Sequence, residues 1–356
     1  MRILVVNAGS SSLKLRVLDG DELVASADLP GSADEGAVRD AVTSFSKKID
    51  VAGHRIVHGG TEFRTAVRVD DEVRRRLAAL TDLAPLHQPK SLAALDAVSA
   101  ALPEVLAVAC FDTAFHATIP DAAATYALPR DWRERWPIRK FGFHGLSHAY
   151  VARRVAELTG RDDLRIVSCH LGAGASLCAI SGGRSADTTM GFTPLDGLVM
   201  ATRSGSVDPG LLLWLMTDEK MPAAELSEAL ESHSGLLGLA GTADMQQVLA
   251  RAVSGDPDAV LARDAYLHRL RALIGSMAAV LGGLDVLVFT GGVGENSAEI
   301  RRRALDGLGF LGVPYYGEHR DAGHPDGEIK VPGAFVIPAR EDLEIAREVR
   351  ELLSPR

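Results

Sequence analysis

The feature that most constrains the fold is a strand-and-turn layout that occurs twice. Its first copy predicts strands at Arg2–Val6, Leu13–Leu18 and Glu22–Ser26, joined by a turn of small residues and by an Asp-Gly turn. Its second copy, at 165–187, predicts RIVSCHL, a Gly-Ala-Gly turn, ASLCAI, a Gly-Gly turn and a short strand. Such turns between apolar runs are typical of β-hairpins. The repeat therefore predicts an α/β protein with two domains built on one plan.

Helical patterns fill the rest of the chain. They lie at Asp70–Leu80, Ser91–Leu102, Ser147–Thr159, Ala223–Ser232, Pro257–Gly282 and Asp342–Leu353. At about 150 residues per domain, a chain of 356 residues favours two domains. We expect the first at 1–114 with the last helix, 343–356, added to it, and the second at 115–342.

Composition excludes several classes of partner and compartment. A net charge of −9 argues against binding to nucleic acid or to an anionic membrane, which need a basic surface. Cys110, Cys169 and Cys178 lie in apolar, strand-like runs, which predicts buried free thiols. The apolar stretch 272–294 is interrupted by Asp285 and by glycines, so it predicts a buried helix and strand rather than a membrane span. With no secretory pattern at the N-terminus, we expect a cytoplasmic protein.

Common nucleotide-binding motifs are missing, but other segments suit anions. No lysine follows a glycine, which excludes a Walker A loop, and no GxGxxG follows the first strand. NAGSSSLK (7–14) offers backbone N–H groups, hydroxyls and Lys14 to an anion, or is simply a polar hairpin turn. Arg55 lies between apolar residues of GHRIVHGG and needs an anionic ligand or a structural salt bridge. Asp112 ends an apolar strand, where ligands bind in α/β sheets, or caps a helix.

Three further segments carry candidate chemistry. His144 and His148 have the spacing of zinc ligands on a helix, but we expect Gly145 to break that helix, and no glutamate follows His144. Residues 187–209 form a long, loop-like run in which Arg203 is the cation. Residues 285–305 predict a buried strand, a glycine turn, and a helix start that suits a phosphate or a ribose, with Asn296 or Ser297 as its cap.

A series of motifs, in order along essentially the whole chain, resembles the acetate kinase family, which comprises acetate and propionate kinases. The motifs are NAGSSSLK, GHRIVHGG, LAPLHQP, FDTAFH, FGFHGLSH, HLGAGAS, DTTMGFTPLDGL, TRSG, SGLLGLAGTAD and FTGGVGENS. The resemblance implies two duplicated domains of the sugar kinase, Hsp70 and actin (ribonuclease H-like) ATPase fold with an interdomain cleft. It also implies a homodimer and hinge closure over the substrate.

The reaction implied is the reversible, Mg²⁺-dependent transfer of the ATP γ-phosphoryl group to acetate, a carboxyl group acting as acceptor, with Mn²⁺ as an alternative metal. A carboxylate is already nucleophilic at pH 7, so the chemistry asks mainly for alignment and charge neutralisation. Open alternatives are a kinase for propionate or another short acid, the same chemistry with a donor other than ATP, and a nucleotide-responsive module without catalysis.

The resemblance also implies roles for residues. Catalytic roles fall to Arg55, Asp112, His144 and Arg203, the two arginines holding the substrate carboxylate and the phosphoryl group. The pocket for the acyl methyl group would comprise Val57, Leu86, Phe143 and Pro194. The nucleotide would contact Lys14, His170, Gly172, Gly174, Asp244, Gly292, Val293 and Asn296. The metal would be held by Asn7 and Glu341, with Ser10 and Ser12 near phosphate and metal.

The chain departs from the family pattern mainly around the nucleotide. Ala173 replaces an asparagine, Met245 and Gln246 replace an aromatic residue and an arginine, and Arg340 replaces a small polar residue. The segment between the first hairpin and Gly53 is also shorter than usual. The phosphoryl donor is therefore left more open than the acyl-phosphate chemistry.

Overall fold

The computed structural model describes residues 1–9, 12–31, 33–45, 48–314 and 332–354. The chain divides into two compact units. Unit 1 comprises Met1–Ala117, Phe143–Tyr150 and Arg340–Arg356, and unit 2 comprises Thr118–Gly142 and Val151–Ala339. Phe143–Tyr150, which the sequence placed in the second domain, belongs to unit 1.

Groups of strands and groups of helices follow one another along the chain, as in a mixed α/β fold. The strands are β1 (Arg2–Ala8), β2 (Ser12–Asp19), β3 (Glu22–Pro30), β4 (Val51–Ile56), β5 (Val67–Arg68), β6 (Leu106–Phe111), β7 (Arg165–Leu171), β8 (Ala175–Ser181), β9 (Arg184–Thr188), β10 (Val286–Thr290) and β11 (Gly333–Val336). The helices are α1 (Glu35–Ser44), α2 (Asp71–Ala79), α3 (Gln88–Ala101), α4 (Asp121–Ala124), α5 (Arg130–Arg135), α6 (Gly145–Thr159), α7 (Pro209–Thr217), α8 (Ala223–Ser232), α9 (Gly235–Ala240), α10 (Met245–Val253), α11 (Pro257–Val280), α12 (Gly291–Asn296), α13 (Ala298–Asp306) and α14 (Glu341–Leu353). Short 3₁₀ helices lie at Thr81–Leu83, Ala114–Thr118 and Gly309–Leu311.

The two sheets share one topology, as the repeated layout predicts. In unit 1 the order is β3-β2-β1-β4-β6-β5, with an antiparallel β1–β2–β3 meander followed by β4 and β6 parallel to β1. In unit 2, reading from the meander, the order is β9-β8-β7-β10-β11 with the same pattern of directions. The prediction of a duplicated α/β plan is confirmed, and β5 is the strand that unit 1 adds.

Each sheet is covered by helices that bury apolar side chains against it. In unit 1, α14 packs Ile345 and Val349 on β1, β4 and β6. At Gly53 of β4, a Cβ atom would lie 2.7 Å from Ile345 and 2.9 Å from Val349, so only glycine permits this approach. The opposite face packs against α1 and α3. In unit 2, the long α11 lies on β7 and β8.

The predicted helices and buried thiols are confirmed, and two local predictions are wrong. Cys110, Cys169 and Cys178 are buried and free. Gly145 begins α6 instead of breaking a helix. The GGVG segment is the first turn of α12 rather than a turn before a helix, and Ser297 caps the following helix, α13. Within the ranges described, no helix is long and apolar enough to cross a membrane.

Candidate active site

A charged network lies at the carboxyl ends of the parallel strands of unit 1. Arg55, near the end of β4, donates from Nε to Asp112 Oδ1 at 3.0 Å and from Nη2 to Asp112 Oδ2 at 2.5 Å. Asp112 directly follows β6 and is 1% exposed. Arg55 Nη1 also donates to the Ala8 carbonyl at 3.0 Å, at the end of β1. The Arg55 guanidinium thus connects the ends of three neighbouring strands, β1, β4 and β6.

The predicted metal ligands belong to the same network. Asn7 Nδ2 donates to Glu341 Oε2 at 2.6 Å, and Arg55 Nη1 lies 3.4 Å from Asn7 Oδ1. Glu341 is the first residue of α14, so its position depends on the packing of that helix on the sheet. Four residues far apart in sequence form one connected set, Asn7, Arg55, Asp112 and Glu341.

Burial and charge act against each other in this network. Burial raises the pKa of the Asp112 carboxyl, and the Arg55 guanidinium opposes that rise. Burial alone would lower the pKa of Arg55, but Asp112 and Glu341 outweigh it and hold that pKa above its usual value. Arg55 therefore keeps its positive charge in a site of low solvent access.

The segment that carries His144 is anchored to Asp112. Gly145 N donates to the Asp112 carbonyl at 2.8 Å, and a Cβ atom on Gly145 would lie 2.1 Å from that oxygen. His116 Nε2 is 3.0 Å from the Phe143 carbonyl. His144 itself has a φ of 58°, in the left-handed region that residues other than glycine rarely occupy. Such strain, held by its neighbours, is common at functional sites.

The remaining predicted residues of unit 1 divide into two groups. Val57 and Phe143 are buried, and the Phe143 ring meets the His58 ring edge-on at 5.5 Å. Leu86 is 54% exposed. Lys14 is exposed on β2, opposite Asn7 in the strand register. Ser12 begins β2, whereas Ser10 lies outside the described residues.

Arg203 and Pro194 meet in unit 2, within the loop between β9 and α7. Arg203 Nη1 donates to the Pro194 carbonyl at 2.9 Å. Arg203 Nε lies 3.6 Å from Glu231 Oε2. Burial lowers the pKa of Arg203, and Glu231 opposes this shift. The loop-like run thus presents a guanidinium that is already oriented by its own backbone.

Unit 2 also contains a cavity of about 560 Å³ beside β7, α10 and α12. Its lining includes five of the predicted nucleotide residues, Gly172, Asp244, Gly292, Val293 and Asn296. Three of the four departures from the family pattern, Ala173, Met245 and Gln246, line the same cavity. A Cβ atom on Gly292 would meet nothing within 4 Å, so this backbone faces open space.

Gly174 and His170, two further residues predicted to contact the nucleotide, lie next to the lining of the cavity. Gly174 accepts a hydrogen bond from Gly172 N at 3.0 Å through its carbonyl. His170 is half-buried in β7, and its Nε2 lies 3.7 Å from where a Cβ atom of Gly172 would be. Both help to define the turn that begins the cavity.

Sequence reasoning missed two residues that hold these segments in place. Gln88 Oε1 accepts from His58 N at 3.1 Å, and its Nε2 donates to the carbonyls of His58 and Leu77. Glu295 Oε1 accepts from Gly291 N and from Ala339 N, both at 2.9 Å. Gln88 lies in the motif LAPLHQP and Glu295 in FTGGVGENS. A polar side chain within such a proline- or glycine-rich motif is the sequence signal that could have identified each of them.

Comparison with known proteins identifies the family. Residues 33–347 match the model of the Acetokinase family. The chain belongs to the acetokinase family. An acetate kinase from Symbiobacterium thermophilum is 41% identical over an alignment 403 positions long, which covers 100% of both chains. An acetate kinase from Trichormus variabilis is 49% identical over 314 residues, covering 86% of this chain and 77% of that relative.

Solved structures of acetokinase-family proteins have the same fold. The crystal structure of Porphyromonas gingivalis acetate kinase matches with a TM-score of 0.87 and 34% identity, over 99% of this chain and 100% of that one. A propionate kinase from Francisella tularensis subsp. tularensis matches with a TM-score of 0.86 and 33% identity, over 98% of each chain. This acetokinase is thus a phosphotransferase with a carboxyl group as acceptor, and ATP is the family's phosphoryl donor.

Proposed function

We propose that the protein transfers the γ-phosphoryl group of ATP to acetate, reversibly, giving acetyl phosphate and ADP. The observation that carries this proposal is the Arg55–Asp112 ion pair, joined through Asn7 to Glu341 at the strand ends of unit 1. A carboxylate oxygen of acetate attacks phosphorus, the bond to the β-phosphate oxygen breaks, and ADP leaves. No base has to remove a proton, so positioning and charge neutralisation are the residues' main tasks.

In this proposal Asp112 orients Arg55 rather than acting as a base. Two of the five N–H donors of Arg55 bind the Asp112 carboxylate, a third binds the Ala8 carbonyl, and a fourth is directed at Asn7 Oδ1 at 3.4 Å. A guanidinium has five such donors, so capacity remains for a substrate oxyanion. Arg203 supplies a second oriented guanidinium in unit 2. We assign His144 the role of a donor to the transferring phosphoryl group.

We propose Mg²⁺ as the metal, with Mn²⁺ as an alternative. Mg²⁺ prefers oxygen ligands, and proteins often hold it through one or two side chains together with substrate phosphates. The Glu341 carboxylate and the Asn7 amide, 2.6 Å apart at their nearest atoms, fit that donor set. Within the residues described, no group of three or more histidines, cysteines or acidic residues is placed to hold an ion, which suits a metal completed by phosphate. When bound, the ion would neutralise phosphate charge.

Acetate is favoured over propionate. Relatives that align with essentially the whole chain are named acetate kinases. One methylene group in an apolar pocket changes specificity by only about 1–3 kcal/mol. Val57 and Phe143 are buried and available to form such a pocket. Comparing kcat/KM for acetate, propionate and butyrate measures the preference directly.

The most informative assay is the formation of acetyl hydroxamate from acetate, ATP and hydroxylamine. We expect product with Mg²⁺ or Mn²⁺ and none with excess EDTA. Replacing ATP by other nucleoside triphosphates in the same assay tests the donor that Ala173, Met245 and Gln246 leave open. Absence of product with every common donor would disprove the kinase assignment.

We further propose a homodimer and a cytoplasmic location. Helix α7 has no buried residue, although its sequence is almost entirely apolar. Leu213 is 62% exposed and Trp214 is 48% exposed. An apolar helix face of this kind suits burial against a second copy of the chain. Light scattering of the wild type and of Trp214→Glu would test the dimer, and we expect the variant to be a monomer.

A further inference from the structure

Glu231, near the end of α8, lies beside the candidate catalytic Arg203. Glu231 Oε2 is 3.6 Å from Arg203 Nε. Both side chains are largely withdrawn from solvent, with 14% of Arg203 and 17% of Glu231 exposed. No sequence pattern singles out Glu231, because it and Arg203 are distant along the chain.

The backbone fixes this carboxylate next to Arg203 without help from the ion pair. Ser204 N donates to the Leu230 carbonyl at 3.1 Å, and Thr202 Oγ1 donates to the Glu231 carbonyl at 2.9 Å. Ser234 N donates in turn to the Thr202 carbonyl at 2.9 Å. These bonds clamp the end of α8 to the loop that carries Arg203. A change of the Glu231 side chain therefore leaves the backbone at the end of α8 in place.

The carboxylate contributes charge rather than orientation. The 3.6 Å separation is longer than an N–H···O hydrogen bond. Arg203 Nη1 is already directed by the Pro194 carbonyl at 2.9 Å. Burial raises the pKa of Glu231, and the Arg203 charge opposes that rise. A charge that is partly withdrawn from water acts strongly on its neighbour because solvent screens it less.

We propose that Glu231 sets the affinity of Arg203 for oxyanions. Its carboxylate balances the guanidinium charge when no substrate is bound and weakens the attraction of Arg203 for an incoming carboxylate or phosphoryl group. This limits how tightly an anionic product is retained. The inference rests on the proposed function, which places such an anion at Arg203.

The test uses Glu231→Gln, which removes the charge and keeps the size of the side chain. Sulfate serves as the probe, and its half-saturating concentration is read from the rise in melting temperature and from competitive inhibition against acetyl phosphate. We expect a roughly ten-fold decrease in that concentration, equivalent to about 1.4 kcal/mol. In an Arg203→Ala background, Glu231→Gln should leave the half-saturating sulfate concentration unchanged.

The matched control is Glu228→Gln on the same helix, whose carboxylate is 71% exposed and lies beside His233. It should leave the sulfate response at the wild-type value. Equal sulfate affinity in wild type and Glu231→Gln, or a gain that persists without Arg203, would overturn the inference. A wild type that forms no acetyl hydroxamate but shows the expected sulfate difference would instead refute the proposed function alone.

Discussion

The two units use one strand topology for different purposes. At the carboxyl ends of β1, β4 and β6, unit 1 places charged and amide side chains, with Asn7, Arg55 and Asp112 bonded to one another. At the corresponding ends of β7 and β10, unit 2 places glycine-rich backbone, with Gly172 and Gly292 lining a cavity of about 560 Å³. The duplicated fold provides the same edge twice. Side-chain charge makes one edge suited to reaction chemistry, and the absence of side chains makes the other suited to a bulky ligand.

The largest effect should come from the charged edge. Arg55→Ala should lower kcat by at least about 10³-fold, because an oriented charge is lost. It should also lower the free energy of unfolding by about 3 kcal/mol, since Asp112 is left buried and unpaired. Turnover measurements and urea unfolding give the two values.

The control is Arg74→Ala, which breaks the more exposed, two-bond ion pair with Asp96. This variant should lower the free energy of unfolding by at most about 1 kcal/mol and should keep normal turnover. Similar losses in both variants would contradict the special role of Arg55.

Glycine substitutions should separate the two edges kinetically. In Gly145→Ala the new Cβ would lie 2.1 Å from the Asp112 carbonyl, so kcat should fall by about 10²-fold through displacement of that residue. In Gly291→Ala, with φ +78° and Leu171 O at 2.9 Å, the KM for ATP should rise more than kcat falls. Steady-state kinetics with both substrates varied measures the split.

Gly275→Ala, inside α11, is the control for these two variants. Nothing lies within 4 Å of its Cβ position, and alanine should stabilise the helix by about 0.5–1 kcal/mol. If Gly145→Ala and Gly291→Ala changed the same kinetic constant, the two edges would not differ in the way described.

Acid should destabilise unit 1 before unit 2. His54 is 1% exposed, neither ring nitrogen has a hydrogen-bond partner among the residues described, and burial lowers its pKa to about 4. The folded state therefore holds His54 neutral, and the stability this provides above pH 6.5 is lost as the pH falls towards 4. The full difference is about 3 kcal/mol. Hydrogen exchange at several pH values would report each unit separately.

For this measurement, His54→Leu should reduce the acid sensitivity of unit 1. His233→Leu, at a side chain 65% exposed in unit 2, should leave the pH dependence unchanged. An unaltered pH profile in His54→Leu would assign the acid sensitivity to other groups.

The smallest expected effect comes from Glu295, whose side chain holds the backbone beside the cavity of unit 2. Glu295→Ala removes the oxygen that accepts from Gly291 N and Ala339 N, so the KM for ATP should rise about five- to ten-fold. Glu295→Gln keeps an acceptor oxygen at this position and should stay within about two-fold of wild type. A large effect of Glu295→Gln would show that the charge, rather than the hydrogen bonds, is what matters.

Several sequence predictions failed or fell short for one physical reason. The Gly145 and GGVG predictions used local glycine propensity, whereas helices begin at Gly145 and Gly291, where the backbone lies against Asp112 and Leu171. Leu86, assigned to the acyl pocket, is 54% exposed in the structure, and that assignment stays a prediction. Glu231 was missed because its partner, Arg203, is brought to it by hydrogen bonds between separate segments. Propensity depends on residues that are adjacent in sequence, whereas the helix starts and the Arg203–Glu231 pair depend on residues that are adjacent in space.

Local sequence patterns were enough to predict the duplicated meander, the buried cysteines, Arg55 within an apolar strand, Asp112 at the end of a strand, and the family. Alternation of apolar residues and turn residues acts over a few positions, so it can be read without a structure. By contrast, the hydrogen-bonded network of Asn7, Arg55, Asp112 and Glu341 is visible in the tertiary structure alone. The structure also shows that Arg203 lies beside a carboxylate and that Ala173, Met245 and Gln246 line one cavity. Those facts depend on how strands and helices pack, because packing sets distances between residues far apart in the chain.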